Sequence, residues 1–105
     1  KSELIIAEIL ESFGIPYQYE VDLPCDEYHL CPDFTVVRPR DGKVVYWEHF
    51  GMTHDEEYVH KMDLKLVRYR RMNIKPWDNL MISFDREDGS LDLGIIRSMI
   101  DSWLR

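Results

Sequence analysis

Apolar side chains recur at helical spacing at the start of this chain. Ile6, Leu10 and Phe13 form one stripe, which predicts a first helix that Ser2 can cap. Gly14 follows the last position of this stripe and is expected to end the helix, because glycine readily adopts the left-handed conformation that closes helices.

The apolar spacing then changes to the alternation that is typical of strands. Residues 17–23 alternate apolar and polar side chains and predict a half-exposed strand, and residues 24–30 form a polar connection. Two runs rich in valine and aromatic residues, 31–38 and 43–50, predict the strands of a hairpin, because residues 39–42 between them include Pro, Asp and Gly.

The second half of the chain predicts a helix, a strand and a helix. Thr53 and Glu56 fit a capping box, which predicts a helix from about residue 55 to residue 72. The nearly continuous apolar run 80–84 is typical of a buried strand with a parallel neighbour. A last helix over about residues 91–104 is expected to bury five side chains: Ile95, Ile96, Met99, Ile100 and Trp103.

Composition agrees with one folded domain. The 105 residues suffice for a single core, and an apolar content of 45% excludes a disordered chain. No apolar run approaches the roughly 18–20 residues of a membrane span, and no signal-peptide pattern is present, so we expect a cytoplasmic protein without a membrane partner. The chain begins at Lys1 with a helical pattern already under way. We therefore interpret residues 1–105 as one domain, cut from a longer protein or lacking its leading residues, which leaves other domains of that protein as possible partners.

Charge is distributed unevenly. The formal net charge of −7 argues against a protein that simply coats nucleic acids. Between residues 61 and 75, however, Asp63 is the only acidic residue among six basic ones: Lys61, Lys65, Arg68, Arg70, Arg71 and Lys75. This run fits either a solvated helix face or a surface that contacts a nucleic-acid backbone, with Arg68 among the candidate contacts.

Two cysteines, Cys25 and Cys31, lie six positions apart with His29 between them. A zinc site would need four ligands and tighter paired spacing, and nothing else in the sequence suggests an oxidising compartment. We interpret the cysteines as two free thiols.

Each strand of the predicted hairpin carries one carboxylate among apolar neighbours, Asp33 in the first and Glu48 in the second. A four-residue loop would pair Arg38 with Lys43 and set Asp33 directly opposite Glu48, and a two-residue loop would pair Arg40 with Lys43 and set the acids diagonally. Either even loop places both acids on one face, where they would lie roughly 4.5–8 Å apart and repel each other. A shared Mg²⁺ or Mn²⁺ would remove this repulsion, and both ions prefer such carboxylates.

Two further positions could contribute to that site. Glu3 lies one turn before Ile6 on the first-helix stripe, so it either complements the helix dipole or borders the metal site. Lys61, Lys65 and Tyr69 recur every four residues on the long middle helix. Lysines seldom face a core unless paired, so carboxylates on the sheet are expected partners, and the alternative is that both lysines extend to solvent.

These residues together resemble the PD-(D/E)XK nuclease superfamily. The resemblance covers essentially the whole chain: Pro32-Asp33 on one strand and Glu48 on the next, with a helix before and a helix after. It implies a restriction-endonuclease-like α/β core, ordered helix-strand-strand-strand-helix-strand with a C-terminal helix, in which a mixed sheet is flanked by helices. It also implies that Asp33, Glu48 and the backbone carbonyl of His49 bind Mg²⁺ and that Glu3 completes the site.

One residue departs from the pattern of that superfamily. The lysine expected two residues after the acid is replaced by Phe50. The sequence Lys65-x-x-x-Tyr69 is similar to branches in which a helix residue supports the site, so either the lysine has moved to the helix, with Lys65 preferred over Lys61, or catalysis has been lost.

The resemblance implies a Mg²⁺- or Mn²⁺-dependent endonuclease that hydrolyses phosphodiester bonds, with DNA as the expected partner. In that reading Asp33, Glu48, Lys65 and Glu3 are catalytic, and Tyr69 supports the site. The alternative is a catalytically inactive nuclease-fold module for nucleic-acid binding or assembly. A third reading, a scaffold for protein partners through Trp77 and Trp103, is weaker, because buried tryptophans explain those residues.

Overall fold

The computed structural model describes residues 2–23 and 29–105. In chain order its elements are α1 (Ser2–Ser12), β1 (Tyr17–Tyr19), β2 (Phe34–Val37), β3 (Val44–Phe50), α2 (Glu56–Arg71), β4 (Leu80–Phe84) and α3 (Leu93–Trp103). The predicted α/β class and the predicted order of elements are confirmed.

The four strands form one mixed sheet in the order β1-β2-β3-β4. The pairs β1/β2 and β2/β3 are antiparallel, and β3/β4 is parallel, with α2 as the crossover between its strands. The parallel neighbour expected for the apolar run 80–84 is therefore present.

The two faces of the sheet are covered by different helices. One face packs against α1 and α3 and forms the larger core: Ile6, Ile9, Leu10, Ile15, Phe34, Val36, Val45, Trp47, Met81, Ile96, Ile100 and Leu104. The other face packs against α2 and the segments beside it, in a smaller cluster: Leu23, Leu30, Tyr69, Ile74 and Leu80. Because successive strand residues point to opposite faces, Trp47 contacts the α1/α3 core while Glu48 faces α2.

Three strands are shorter than predicted, β3 by only one residue because it begins at Val44. β1 ends at Tyr19, where Glu20 adopts a positive φ of 50° that interrupts the extended backbone. β2 begins at Phe34 and not at Cys31. Pro32 has no N–H for the ladder, and the side chain of Asp33, rather than its backbone, accepts the N–H of His49 on the neighbouring strand.

Both predicted helix caps were wrong. Ser2 lies inside α1, and its hydroxyl donates a 2.7 Å hydrogen bond to Asp85. At α2 the cap is Asp55, whose carboxylate accepts the N–H groups of Glu57 and Tyr58, and not Thr53. Gly14, with φ +69°, ends α1 as predicted.

The C-terminal region also differs in detail. Helix α3 is capped by Asp92 and runs from Leu93, and Ile95, which was expected to be buried, is 57% exposed. Trp77, expected to be buried, is 47% exposed and packs against Trp103 with a tilted ring, 5.5 Å between ring centroids.

Some predictions fall on residues that the structure does not describe. Cys25 lies outside the described residues, and Cys31 is a free, half-buried thiol. None of the helices in the described part of the chain is long and apolar enough to cross a membrane.

Candidate functional site

The β2–β3 hairpin has the four-residue loop that the sequence left open. The N–H of Arg38 donates to the carbonyl of Lys43 at 2.9 Å, so residues 39–42 form the loop. Asp41 holds this turn through two hydrogen bonds to the Arg38 guanidinium, at 2.9 and 2.6 Å, and Gly42 supplies the required positive φ of 72°.

This register decides where the two acids lie. Phe34 pairs with Trp47, so one step further along the hairpin sets Asp33 opposite Glu48. Continued by one residue beyond β2, the alternation of side chains would place both acids on the face of the sheet that α2 covers. The paired part of the hairpin thus ends one residue short of Asp33, and the charge of Glu48 is close enough to raise the pKa of Asp33.

Asp33 directly precedes β2, and its carboxylate is directed at β3. Its Oδ2 accepts the backbone N–H of His49 at 2.7 Å. Burial and then the charge of Glu48 raise the pKa of Asp33 to about 7, with a smaller contribution from Glu3, although the His49 N–H and Lys65 act in the opposite direction. Asp33 thus experiences repulsion from acids on two other elements.

Glu48 is buried, with 1% of its surface exposed, and two side chains of α2 compensate its charge. The Tyr69 hydroxyl donates to Oε2 of Glu48 at 2.5 Å, and the Lys65 ammonium lies 2.5 Å from the same oxygen. Burial and the charge of Glu48 also raise the pKa of Tyr69, which keeps its hydroxyl a donor.

The two lysines of the predicted row on α2 separate in the structure. The side chain of Lys65 is 30% exposed and reaches from solvent to Glu48, whereas that of Lys61 is 75% exposed and lies 3.9 Å from Glu57 on its own helix. The prediction that both lysines could face the sheet was wrong for Lys61, because the inward stripe runs through Met62 to Lys65. Arg68, one turn beyond Lys65, is half-buried.

Glu3 approaches Asp33 from the start of α1. The carboxylate oxygens of Glu3, Glu20 and Asp33 lie within 4.8 Å of one another. The Tyr19 hydroxyl lies 3.5 Å from Glu3 and forms a long hydrogen bond to it. Glu48 does not belong to this group of three acids. Lys65 and Tyr69 contact Oε2 of its carboxylate instead.

Glu20 was not predicted as a site residue. It follows β1 directly, and its N–H donates to the carbonyl of Asp33 at 3.1 Å, so the β1–β2 register brings the two acids together. That register could not be read from the sequence, because the connection between β1 and β2 is too long for a turn rule to fix it.

The His49 carbonyl also faces this site. The N–H and C=O of one strand residue point to the same side of the strand, and the N–H of His49 points to Asp33. Phe50, at the position of the lysine that the resemblance calls for, is buried against Phe84 with 5.9 Å between ring centroids. The structure therefore brings together Asp33, Glu48, Lys65 and Tyr69, with Glu3 next to Asp33, and their catalytic roles stay predictions.

Comparisons with protein-family models, curated proteins and solved structures found no match to this chain. Its function is therefore inferred from its side chains and their geometry.

Proposed function

We propose that this domain is a Mg²⁺- or Mn²⁺-dependent nuclease that hydrolyses phosphodiester bonds, with DNA as its substrate and an active site like that of the PD-(D/E)XK superfamily. The observation that carries the proposal is the register of the β2–β3 hairpin. Its last pair is Phe34 and Trp47, directly next to Asp33 and Glu48, and α2 adds Lys65 beside Glu48.

The donors present fit a hard divalent cation. Mg²⁺ and Mn²⁺ prefer oxygen ligands and are commonly held by one or two carboxylates with water. Asp33, Glu48 and the His49 carbonyl would hold the ion, and Glu3 would contribute directly or through water. The raised pKa of Asp33 supports this fit, since burial and, after it, the charge of Glu48 disfavour its carboxylate, and a bound cation would favour the carboxylate again.

When bound, the ion would lower the pKa of a water nucleophile and stabilise charge on the phosphate. The protein's own contribution is to fix the acids and to supply a cation. Tyr69 holds Glu48 through its hydroxyl, which fixes the carboxylate in place. Lys65 reaches the site from the helix, so its ammonium can orient the nucleophile or stabilise developing negative charge in place of the lysine replaced by Phe50.

The charge of the molecule is compatible with a polyanionic substrate once the site holds a cation. Without one, the acids around Asp33 would repel a phosphate. The exposed basic residues Lys61, Arg70 and Lys75 lie on or directly after α2, the helix that supplies Lys65. This surface is the candidate contact for the nucleic-acid backbone.

One observation favours a catalytically inactive module as a second candidate. Lys65 and Tyr69 already compensate Glu48 without any metal, so this acid could be a purely structural buried ion pair. In that case the domain would bind nucleic acid or assemble with other proteins without cutting.

Cleavage of labelled DNA distinguishes the two functions. We expect the chain to cut DNA in Mg²⁺ or Mn²⁺ and not in EDTA, and Asp33→Asn to abolish cutting without unfolding the protein. Asp63→Asn, which changes an exposed acid on α2 in the same way, is the matched control and should cut normally. DNA binding without cleavage in every cation would favour the inactive module.

A further inference from the structure

A second group of polar side chains lies on the other face of the sheet, behind the candidate site. The Nδ1 atom of His49 lies 2.7 Å from the Ser83 hydroxyl oxygen, and its Nε2 atom lies 2.7 Å from Oδ1 of Asp85. Trp47 donates its indole N–H to Ser83 at 2.8 Å, and Ser2 of α1 donates its hydroxyl to the same Oδ1 of Asp85 at 2.7 Å. These five residues, which we call the His49 network, connect β3, β4 and α1.

Donors and acceptors in the His49 network match throughout. Because the Trp47 indole can only donate, Ser83 accepts from it and is free to donate its own proton to Nδ1 of His49. Since Asp85 accepts from Ser2 as well, Nε2 of His49 can donate to the same carboxylate. Among the described residues, no buried side-chain polar atom lacks a hydrogen-bond partner.

Ser83, His49 and Asp85 are hydrogen-bonded to one another in the same sequence as the residues of a Ser-His-Asp hydrolytic triad. Their burial and hydrogen bonds argue against such a catalytic role. The His49 side chain is 2% exposed and Ser83 is 4% exposed, so the serine offers almost no surface to a substrate. The Ser83 oxygen is also occupied as an acceptor by the Trp47 indole. We therefore interpret the His49 network as structural, acting through the residues next to it.

Each end of the His49 network adjoins a residue of the candidate metal site. Glu48 lies between Trp47 and His49 on β3, and the backbone N–H of His49 holds Asp33. At the other end, Ser2 directly precedes Glu3. The hydrogen bond between Ser2 and Asp85 links the α1 end that carries Glu3 to the residue after β4, and Asp85 in turn contacts the His49 ring on β3.

We propose that the His49 network positions the metal ligands, with Ser2 acting through Glu3 and the His49 ring fixing the His49 carbonyl. This inference rests on the proposed nuclease site. Hydrogen bonds of this kind, one shell removed from a metal, orient the ligands, and their loss typically lowers metal affinity about 10–100-fold.

The first test compares two serine substitutions on the same helix. Ser2→Ala removes the link to Asp85, whereas Ser12→Ala removes a hydroxyl that donates to the Ile9 carbonyl at the opposite end of α1. We expect Ser2→Ala to raise the Kd for Mn²⁺, measured by titration calorimetry, about 10-fold, and Ser12→Ala to leave it unchanged. Equal Mn²⁺ affinity in the two variants would overturn the inference.

A double-mutant cycle shows whether Ser2 acts through Glu3. If it does, Ser2→Ala should have little further effect on the Mn²⁺ Kd once Glu3→Gln is in place. Independent effects that multiply would mean that Ser2 acts by another route, and would refute the proposal even if Ser2→Ala alone weakened binding. A merely structural role would lower the melting temperature of the metal-free protein without this coupling.

The outcomes also separate this inference from the proposed function. Absence of Mn²⁺ binding in the unsubstituted chain would refute the metal site, and the role of the His49 network with it. Normal Mn²⁺ binding in both the unsubstituted chain and Ser2→Ala would refute the network's role alone.

Discussion

Lys65 is the residue on which the catalytic part of the proposal depends. Its ammonium lies 2.5 Å from Glu48, while Lys61, one turn earlier, points to solvent. We expect Lys65→Ala to slow single-turnover cleavage on the order of 10²-fold or more at saturating Mg²⁺, and Lys61→Ala to cut at nearly the normal rate. Circular dichroism should confirm that both variants are folded. A near-normal rate for Lys65→Ala would eliminate the displaced-lysine mechanism.

The ionisation of Asp33 links the candidate site to the free energy of unfolding. Its pKa of about 7 lies above the usual value, so between about pH 4 and pH 7 the folded state binds more protons than the unfolded state. The free energy of unfolding of the metal-free protein should therefore fall as pH rises through this window, and the cost above pH 7 should be on the order of a few kcal/mol.

The Asp33→Asn variant tests this pH dependence directly. The amide keeps an acceptor for the His49 N–H but cannot ionise, so the variant should be more stable than the unsubstituted chain above pH 7 and lose this part of the pH dependence. Urea unfolding from pH 4 to pH 8, with EDTA and with Mg²⁺, measures both effects. We expect Mg²⁺ to stabilise only the chain that retains Asp33, and identical pH profiles for the two chains would contradict this role of Asp33.

Among the elements, α2 is the one whose position matters most for the site, because it carries both Lys65 and Tyr69. It buries only Tyr69 fully, so its first turn depends on the cap at Asp55. We expect Asp55→Ala to lower the free energy of unfolding by about 1 kcal/mol, within a range of about 0.5–2 kcal/mol, since two N–H groups lose their acceptor. Thr53→Ala is the control, and chemical denaturation should show a change below about 0.5 kcal/mol. A larger loss at Thr53 would mean that the helix starts where the capping box had suggested.

The helices, the strands and the two acids of the hairpin could be predicted from the sequence because each leaves a local pattern in it. Changes of apolar period mark the ends of helices and strands, and a hairpin loop of two or four residues, unlike an odd one, keeps Asp33 and Glu48 on one face. It was harder to predict from the sequence which side chain faces a given acid. One helix stripe carried both Lys61 and Lys65, and only packing against the sheet selected Lys65.

Features that depend on distant pairings were missed. Glu20 meets Asp33 because β1 pairs with β2 across a long connection, and the sequence contains no rule that fixes that register. The His49 network needs Ser83 beside His49, which follows from the parallel β3–β4 register, and Asp85 beside Ser2, which follows from the docking of α1. Neither contact leaves a local signal in the sequence.

At the scale of the whole molecule, a net charge of −7 has to coexist with a polyanionic substrate. We expect DNA binding to require a divalent cation, because the cation neutralises the acids around Asp33. Fluorescence anisotropy with a labelled duplex in Ca²⁺ should give measurable affinity that falls with rising salt, and EDTA should remove it. Equal affinity in Ca²⁺ and EDTA would show that DNA, if it binds, does so away from the acid site.

A crystal of this chain soaked in Mn²⁺ tests the metal site most directly. We expect an anomalous peak roughly 2 Å from carboxylate oxygens of Asp33 and Glu48 and from the His49 carbonyl oxygen, with Glu3 adjacent. No peak between Asp33 and Glu48 at saturating Mn²⁺, or a peak held by Glu3 and Glu20 without Glu48, would contradict the proposed nuclease site.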